Sequence, residues 1–314
     1  MKRFSSITVI DLLQMKNLRY YFEYIFFKLM ANILRFLPRR VVLFLGARAG
    51  DFIYYCVPIR KKLTVSQLEQ AFPEKSEREI LGIARDVYRN LAMNTFEHLC
   101  LPYLSKSALL SIVDLKNEEL LQKAFARGKG IIFVGGHFGN WEYMGGAVSS
   151  KGYPIGYVVA NIGNPYIDRM VNEHRKSTGI AILEKGMSMR GILKTLRGNG
   201  SLAMLMDQDA GKTGVFVNYF GRLCSAPKGP AIFTLKTGAA LLYVSSARQR
   251  DGRLEAVFEE IDVDYDAGPT EENIHTLMQR STAMLEASVR KYPGQWFWMH
   301  RRWKTPAPDH ESIE

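Results

Sequence analysis

From residue 116 onward the chain alternates between short apolar runs and longer stretches with helical periodicity, and this alternation restricts its fold more than any other feature. The runs at 131–134, 155–159, 180–183, 202–206, 241–245 and 254–261 are apolar and rich in β-branched residues. Strands buried on both faces have this character. Helical stretches at 118–126, 141–149, 165–178, 188–197, 229–237 and 271–292 lie beside them. Strand and helix in this order predict an α/β fold with a largely parallel central sheet flanked by helices. Upstream, 76–104 reads as a helix with Ile80, Ile83, Val87, Leu91, Phe96 and Leu99 at three-to-five spacings, and Ser76 with Glu79 forms a capping-box signature. No internal repeat or low-complexity tract interrupts the pattern. Residues 306–314 read as a polar tail.

Composition excludes a disordered or fibrous chain, because 47% of the 314 residues are apolar and a chain of that length buries a sizeable core. The formal net charge is +11, and residues 1–62 hold twelve Lys or Arg against three acids. A second basic excess, Arg290, Lys291, Arg301, Arg302 and Lys304, surrounds the aromatic stretch near the C-terminus. Localised positive charge among aromatics points to an anionic surface: phospholipid headgroups, nucleic acid or an acidic carrier. Cys56, Cys100 and Cys224 match neither a metal-ligand spacing nor an even disulfide set, which fits a reducing compartment. Lys2 and Arg3 look like the start of a signal peptide. The apolar run at 7–10 is short, however, Asp11 interrupts it and no small-residue cleavage site follows, so secretion is not expected.

Residues 20–37 are dense in Tyr, Phe, Leu and Ile, yet their longest uncharged run is six residues, against the roughly 18 of a clear spanning helix. Arg19 and Glu23 fall on one side of that helix and Lys28 and Arg35 on the other, so no single polar face forms. A further apolar stretch, 41–47 and 52–59, is closed by Arg60-Lys61-Lys62. Residues 1–62 therefore read as a membrane-contacting helical hairpin lying at the interface. A buried helical pair in a soluble core is the alternative reading. The expected division is 1–62 membrane-contacting helices, 63–305 catalytic α/β domain and 306–314 tail.

Chemistry concentrates in Gly135-Gly136-His137-Phe138-Gly139-Asn140-Trp141-Glu142, which begins where a buried strand ends. Ligands of open α/β sheets sit outside the carboxyl ends of strands. The glycines permit a tight turn and close approach of a ligand to the backbone, and Asn140 is a candidate N-cap for the helix starting at Trp141. On a continuous helix His137 and Glu142 would lie about 140° apart, so they meet only through a turn. A carboxylate beside an imidazole fixes its tautomer and raises its basicity, as a general base requires. The segment lacks the glycine spacing of a dinucleotide site, and no His or Cys pair supports a metal, so neither cofactor nor metal is expected. A structural histidine in a glycine turn is the competing reading.

With H-x-x-x-x-E in the form HFGNWE, the sequence resembles the bacterial lipid A biosynthesis acyltransferases, a branch of the glycerolipid acyltransferase group. Further segments carry the resemblance: Gln67 to Pro73, with Gln67 where the family usually has asparagine; Asp207-Gln208; Gly214 to Val217 with Tyr219-Phe220-Gly221; Lys228 to Ala231; Thr237-Gly238-Ala239; and Tyr292-Pro293, Gln295-Trp296 and His300 to Lys304. It implies a glycerolipid-acyltransferase-like fold and transfer of a fatty acyl chain from an acyl-carrier-protein or acyl-CoA thioester to a hydroxyl of a lipid A precursor or related glycolipid. Lysophospholipids, phosphatidylinositol mannosides and amino-acid lipids are the other acceptor classes, and a non-catalytic lipid-binding paralogue is the reading of a different kind. His137 is then the general base and Glu142 its orienting partner. Arg175 is either an oxyanion or acceptor-binding group or a surface helix arginine, and Asp207 either an acceptor-positioning group or a capping carboxylate. Asn140, Gln208, Phe216 and Gly221 are expected to bind substrate, although aromatics at the spacing of Phe216, Tyr219 and Phe220 also suit a plain core. Trp296, Trp298 and Trp303 suit either a headgroup-level belt or a clamp on the N-terminal helices. No nucleic-acid-binding module is recognisable. The expected location is the cytoplasmic face of the inner membrane.

Overall fold

The computed structural model describes residues 9–57, 59–184 and 189–307. The expectations on Lys2 and Arg3, on Ser188 as a helix start and on the end of the tail lie outside them. Helices α1 (Val9–Leu34), α2 (Arg39–Cys56), α3 (Lys61–Ala71), α4 (Glu77–Cys100) and α5 (Lys106–Ile112) precede the sheet. There follow β1 (Val113–Lys116), α6 (Glu118–Ala126), β2 (Ile131–Gly135), α7 (Trp141–Ser150), β3 (Ile155–Val159), α8 (Pro165–Ser177), β4 (Ala181–Glu184), α9 (Met189–Arg197) and β5 (Ser201–Leu205). A hairpin, β6 (Val215–Tyr219) and β7 (Arg222–Ala226), then leads to α10 (Gly229–Thr237), β8 (Ala240–Arg248), β9 (Leu254–Glu260) and α11 (Glu271–Lys291).

Seven strands form one sheet in the order β1-β9-β8-β2-β5-β3-β4, in which only the β8–β9 pair is antiparallel. The expected parallel α/β sheet is present, with β2 buried along its whole length. Alternate residues feed opposite layers: Ile132 and Val134 join a core with α10 and α11, and Ile131 and Phe133 join one with α5 and α7. Both faces are therefore covered, which is why the strands read as continuous apolar runs rather than alternating ones.

Three strands escape the sequence reading. Strand β1 is a four-residue edge strand with Asp114 and Lys116 in it, and such charges belong on an edge. The β6–β7 hairpin is antiparallel and separate from the main sheet. Its turn holds Phe220 at φ 53° and Gly221 at φ 72°, the paired left-handed conformation that matches strand twist in a two-residue hairpin.

Helix α2 packs closely along α4. A Cβ on Gly50 would lie 2.5 Å from the Arg89 Cα, and Asp51 pairs with Arg85 at 2.6 Å and Arg89 at 2.7 Å. Asn164, the N-cap of α8, donates its Nδ2 to the Tyr20 carbonyl and to Glu23 of α1 at 2.9 and 2.8 Å. Away from these contacts α1 exposes Phe22, Phe26, Leu29 and Ile33, and α2 exposes Phe44, Phe52 and Tyr55. Among the described residues no single helix is long and apolar enough to cross a membrane.

Burial decides the place of the C-terminal tryptophans. Trp296 and Trp298 are 1% and 0% exposed, so the headgroup-belt reading does not hold for them. They meet each other edge to face and pack at steep angles against Tyr219, Phe220 and Phe72. Gln67 of α3 secures this segment: its Nε2 donates to the Trp298 and His300 carbonyls at 2.6 and 2.7 Å, and its Oε1 accepts from the Arg302 backbone.

Candidate active site

Strand β2 lies mid-sheet between β8 and β5, and the chain leaves its carboxyl end through the glycine turn. Gly139 has φ 58°, and a Cβ there would sit 1.2 Å from the Ser246 carbonyl oxygen of β8. Only glycine fits. Asn140 caps α7 as expected, its Oδ1 accepting from the Tyr143 backbone N–H at 3.0 Å.

The parallel register of β2 with β5 aligns Gly135 with Leu205, so the residues two positions beyond each, His137 and Asp207, emerge side by side. Asp207 is fully buried. Its Oδ1 accepts from His137 Nδ1 at 2.9 Å, and its Oδ2 accepts from the His137 backbone N–H at 2.7 Å and from Trp296 Nε1 at 2.9 Å. An ionised carboxylate only accepts, so Nδ1 carries the proton and Nε2 keeps a free lone pair. Burial works against a charged imidazole, but the charge and hydrogen bond of Asp207, with Glu142 adding to them, raise the pKa of His137 above its ordinary value. Asp207 itself is held well below the usual carboxylate range, because His137 outweighs the cost of burial.

Glu142 is not the hydrogen-bonded partner of His137. In the first turn of α7 its carboxylate faces α8, where Arg175 donates Nη2 to Oε1 at 2.6 Å and Nε to Oε2 at 3.1 Å. Trp141 Nε1 donates to Oε1 at 3.0 Å. Burial opposes the ionised carboxyl and Arg175 overrides it, leaving the Glu142 pKa lowered. Glu142 thus reaches His137 through its charge, while Asp207 touches it.

Arg175 lines the cavity beside the turn, but its fork is committed to Glu142 and one Nη1 hydrogen to Asn172. The Asn140 side chain is likewise taken up, by the cap and by Glu97. Gln208 is exposed on the cavity wall, with its Nε2 at 3.2 Å from His300 Nε2. Phe216 and Gly221 do not reach the cavity. Phe216 is half-buried on the hairpin strand packed against α11, and Gly221 serves the hairpin turn.

The cavity measures about 810 Å³. His137, Glu142 and Arg175 mark its polar part, and Phe133, Val148, Ile155, Val244 and Phe258 make an apolar wall between the sheet and α7; Phe27 of α1 also lines it. An imidazole with a free lone pair therefore faces a space suited to an apolar chain.

Residues 12–305 match the bacterial lipid A biosynthesis acyltransferase family. The chain belongs to that family. It is an O-acyltransferase, and its relatives act on glycolipids. It is 26% identical over 279 residues to the lipid A biosynthesis palmitoleoyltransferase of Escherichia coli (strain K12), covering 88% of this chain and 89% of that protein. The lauroyltransferase of the same organism is 24% identical over 271 residues, 86% and 87% of the two chains. The phosphatidylinositol mannoside acyltransferase of Mycolicibacterium smegmatis (strain ATCC 700084 / mc(2)155) is 25% identical over 207 residues, 65% and 66% of the chains.

Several residues that brace the candidate site carry no motif. Asn90, Asn94 and Glu97 recur at four- and three-residue spacing on the otherwise apolar face of α4, and all three are buried. Asn90 donates to the Gln295 carbonyl, Asn94 to the Gly139 carbonyl, and Asn140 Nδ2 to Glu97 at 2.7 Å. A polar stripe at helical spacing inside an apolar face is the signal that would find them. His98, which also lines the cavity, has both ring nitrogens covered and without a partner, and burial pushes its pKa down to about 4.

Proposed function

We propose that the protein transfers a fatty acyl chain from a carrier-bound thioester to a hydroxyl of an anionic glycolipid, with His137 as general base. The observation that carries this reading is the His137–Asp207 hydrogen bond, which leaves Nε2 free at the polar part of an apolar cavity. His137 Nε2 takes the proton of the acceptor hydroxyl while that oxygen attacks the thioester carbonyl carbon. Collapse of the tetrahedral intermediate breaks the carbon–sulfur bond, and the thiolate recovers the proton from His137. Asp207 holds the imidazole and stabilises its charged form, as the carboxylate does in a Ser-His-Asp triad. Glu142 fixes Arg175, whose two Nη atoms each keep one further hydrogen for a thioester oxyanion or an acceptor phosphate.

The family match supports lipid A precursors as the first acceptor class, and the mycobacterial relative supports phosphatidylinositol mannosides as the second. An acyl carrier protein, or acyl-CoA, is the proposed donor, and residues 63–305 the catalytic unit. The exposed aromatic and aliphatic residues of α1 and α2, with basic flanks, support seating at the cytoplasmic face of the inner membrane. Failure to cosediment with anionic liposomes would remove that seat.

The deciding experiment incubates the membrane-bound protein with an acyl-carrier thioester and a panel of glycolipids and reads the products by mass spectrometry. One acceptor gains the mass of an acyl chain, and His137→Ala abolishes the gain. Full transfer by the folded alanine variant overturns the assignment.

A further inference from the structure

Glu97 is a fully buried carboxylate on α4, and it joins three parts of the molecule that are far apart in sequence. Arg39, the first residue of α2, reaches it with Nη2 at 2.6 Å and Nε at 2.9 Å. Arg248 at the end of β8 reaches it with Nη2 at 2.5 Å. The third partner is Asn140 Nδ2 at 2.7 Å. The Glu97 backbone carbonyl accepts from the Tyr143 hydroxyl at 2.9 Å. One turn earlier Asn94 donates to the Gly139 carbonyl and accepts from Arg248. Residues 139, 140 and 143, which lead from His137 into α7, are therefore all gripped from α4.

Two arginines around one carboxylate satisfy a need that the fold itself creates, since burying any of the three alone is costly. Asn140 requires a separate explanation. Its Oδ1 already caps α7, and capping asks nothing of Nδ2. The bond to Glu97 adds a second anchor, which stops the amide turning and fixes the path of the chain three residues beyond the base. Small displacements of a base from its substrate are costly in rate.

We propose that Glu97 is a positioning residue of the acyl-transfer site: by holding Asn140 it sets the position of the catalytic turn, and through Arg39 it ties that turn to α2. This rests on the acyl-transfer reading above. Glu97 is not among the residues that line the cavity, so loss of the contact acts on kcat and leaves KM for the donor nearly unchanged.

The contact is tested from both ends in the full-length protein, with initial rates of acyl transfer from an acyl-carrier thioester. Asn140→Ser keeps a capping oxygen and loses the amide N–H; its kcat is expected to fall about tenfold or more, with donor KM within about twofold and Tm within a few degrees. From the other end, Glu97→Gln and Glu97→Leu are compared in an Arg39→Met, Arg248→Met background, which strands no buried charge. The Glu97→Gln protein retains an acceptor for Asn140 and keeps kcat at least about tenfold above that of the Glu97→Leu protein. Adding Asn140→Ser to Glu97→Leu in that background brings little further loss, because both remove the same bond. Wild-type kcat in Asn140→Ser, equal kcat in the Glu97→Gln and Glu97→Leu proteins, or full additivity overturns the proposal. If the wild-type protein transfers no acyl chain, it is the acyl-transfer reading that fails.

Discussion

Two buried carboxylates flank the same imidazole, and they meet different fates. Asp207 stands beyond the end of β5, seventy residues from His137, and touches it because two parallel strands end in register. Glu142 stands five residues from His137, in the first turn of α7, and turns instead to Arg175 on α8. Both are buried, and both have lowered pKa values that their partners impose against desolvation. The difference lies in the partner: Asp207 has an imidazole that can pass a proton on, whereas Glu142 has a guanidinium that cannot. Register across a parallel sheet brings side chains together more reliably than nearness along a chain that bends.

The largest effect that could break this comparison is on kcat. Asp207→Asn is expected to lower it by about 10²–10⁴-fold with the fold retained, the range set by tautomer loss in comparable His–Asp pairs. Glu142→Gln is expected to cost about tenfold in rate but more stability, about 3 kcal/mol, because Arg175, only 14% exposed, loses its counter-ion. If the two losses are reversed in rate assays and thermal melts, the roles are exchanged.

The pH profile sharpens it next. In the proposed role His137 works unprotonated, so kcat/KM is expected to rise with pH through its pKa, which lies above the ordinary value of 6.5. Removing the Asp207 charge lowers that pKa, and the acid limb of the Asp207→Asn profile moves to lower pH. Glu142→Gln moves it less, since Glu142 contributes charge without a hydrogen bond. Superimposable limbs for wild type and Asp207→Asn would contradict the pairing.

A smaller effect separates structure from chemistry. Replacing Glu142 and Arg175 together by methionine should recover at least half of the Tm lost by Glu142→Gln, because no charge is stranded. His98 supplies the control for an imidazole whose covered ring nitrogens have no hydrogen-bond partner. Its folded pKa of about 4 lies below the ordinary 6.5, so between those values the unfolded chain binds a proton that the folded one does not. Its contribution to stability therefore falls as pH drops from 6.5 to 4, by up to roughly 3 kcal/mol. His98→Phe should flatten that part of the Tm–pH curve.

Much of this site is legible in the residues themselves. The strand at Ile131, the glycine turn, the cap at Asn140 and the placing of His137 and Asp207 after strands all follow from local pattern, because each depends on a few neighbouring residues. Strand β1 was hidden by its own charges and the hairpin by its shortness. The grip of Glu97 on Asn140, the burial of Trp296 against Asp207 and the seat of Gln67 under the C-terminal segment involve residues 43, 89 and more than 200 positions apart. No periodicity reports such distances.

The sequence by itself determined an α/β acyltransferase with a histidine on a glycine turn, since hydrophobic period, turn chemistry and motif are properties of short segments. Only the tertiary structure decided which carboxylate holds that histidine. Hydrogen bonds form between atoms that packing brings within about 3 Å, and the register of β2 on β5 brings Asp207 there while the first turn of α7 carries Glu142 to Arg175.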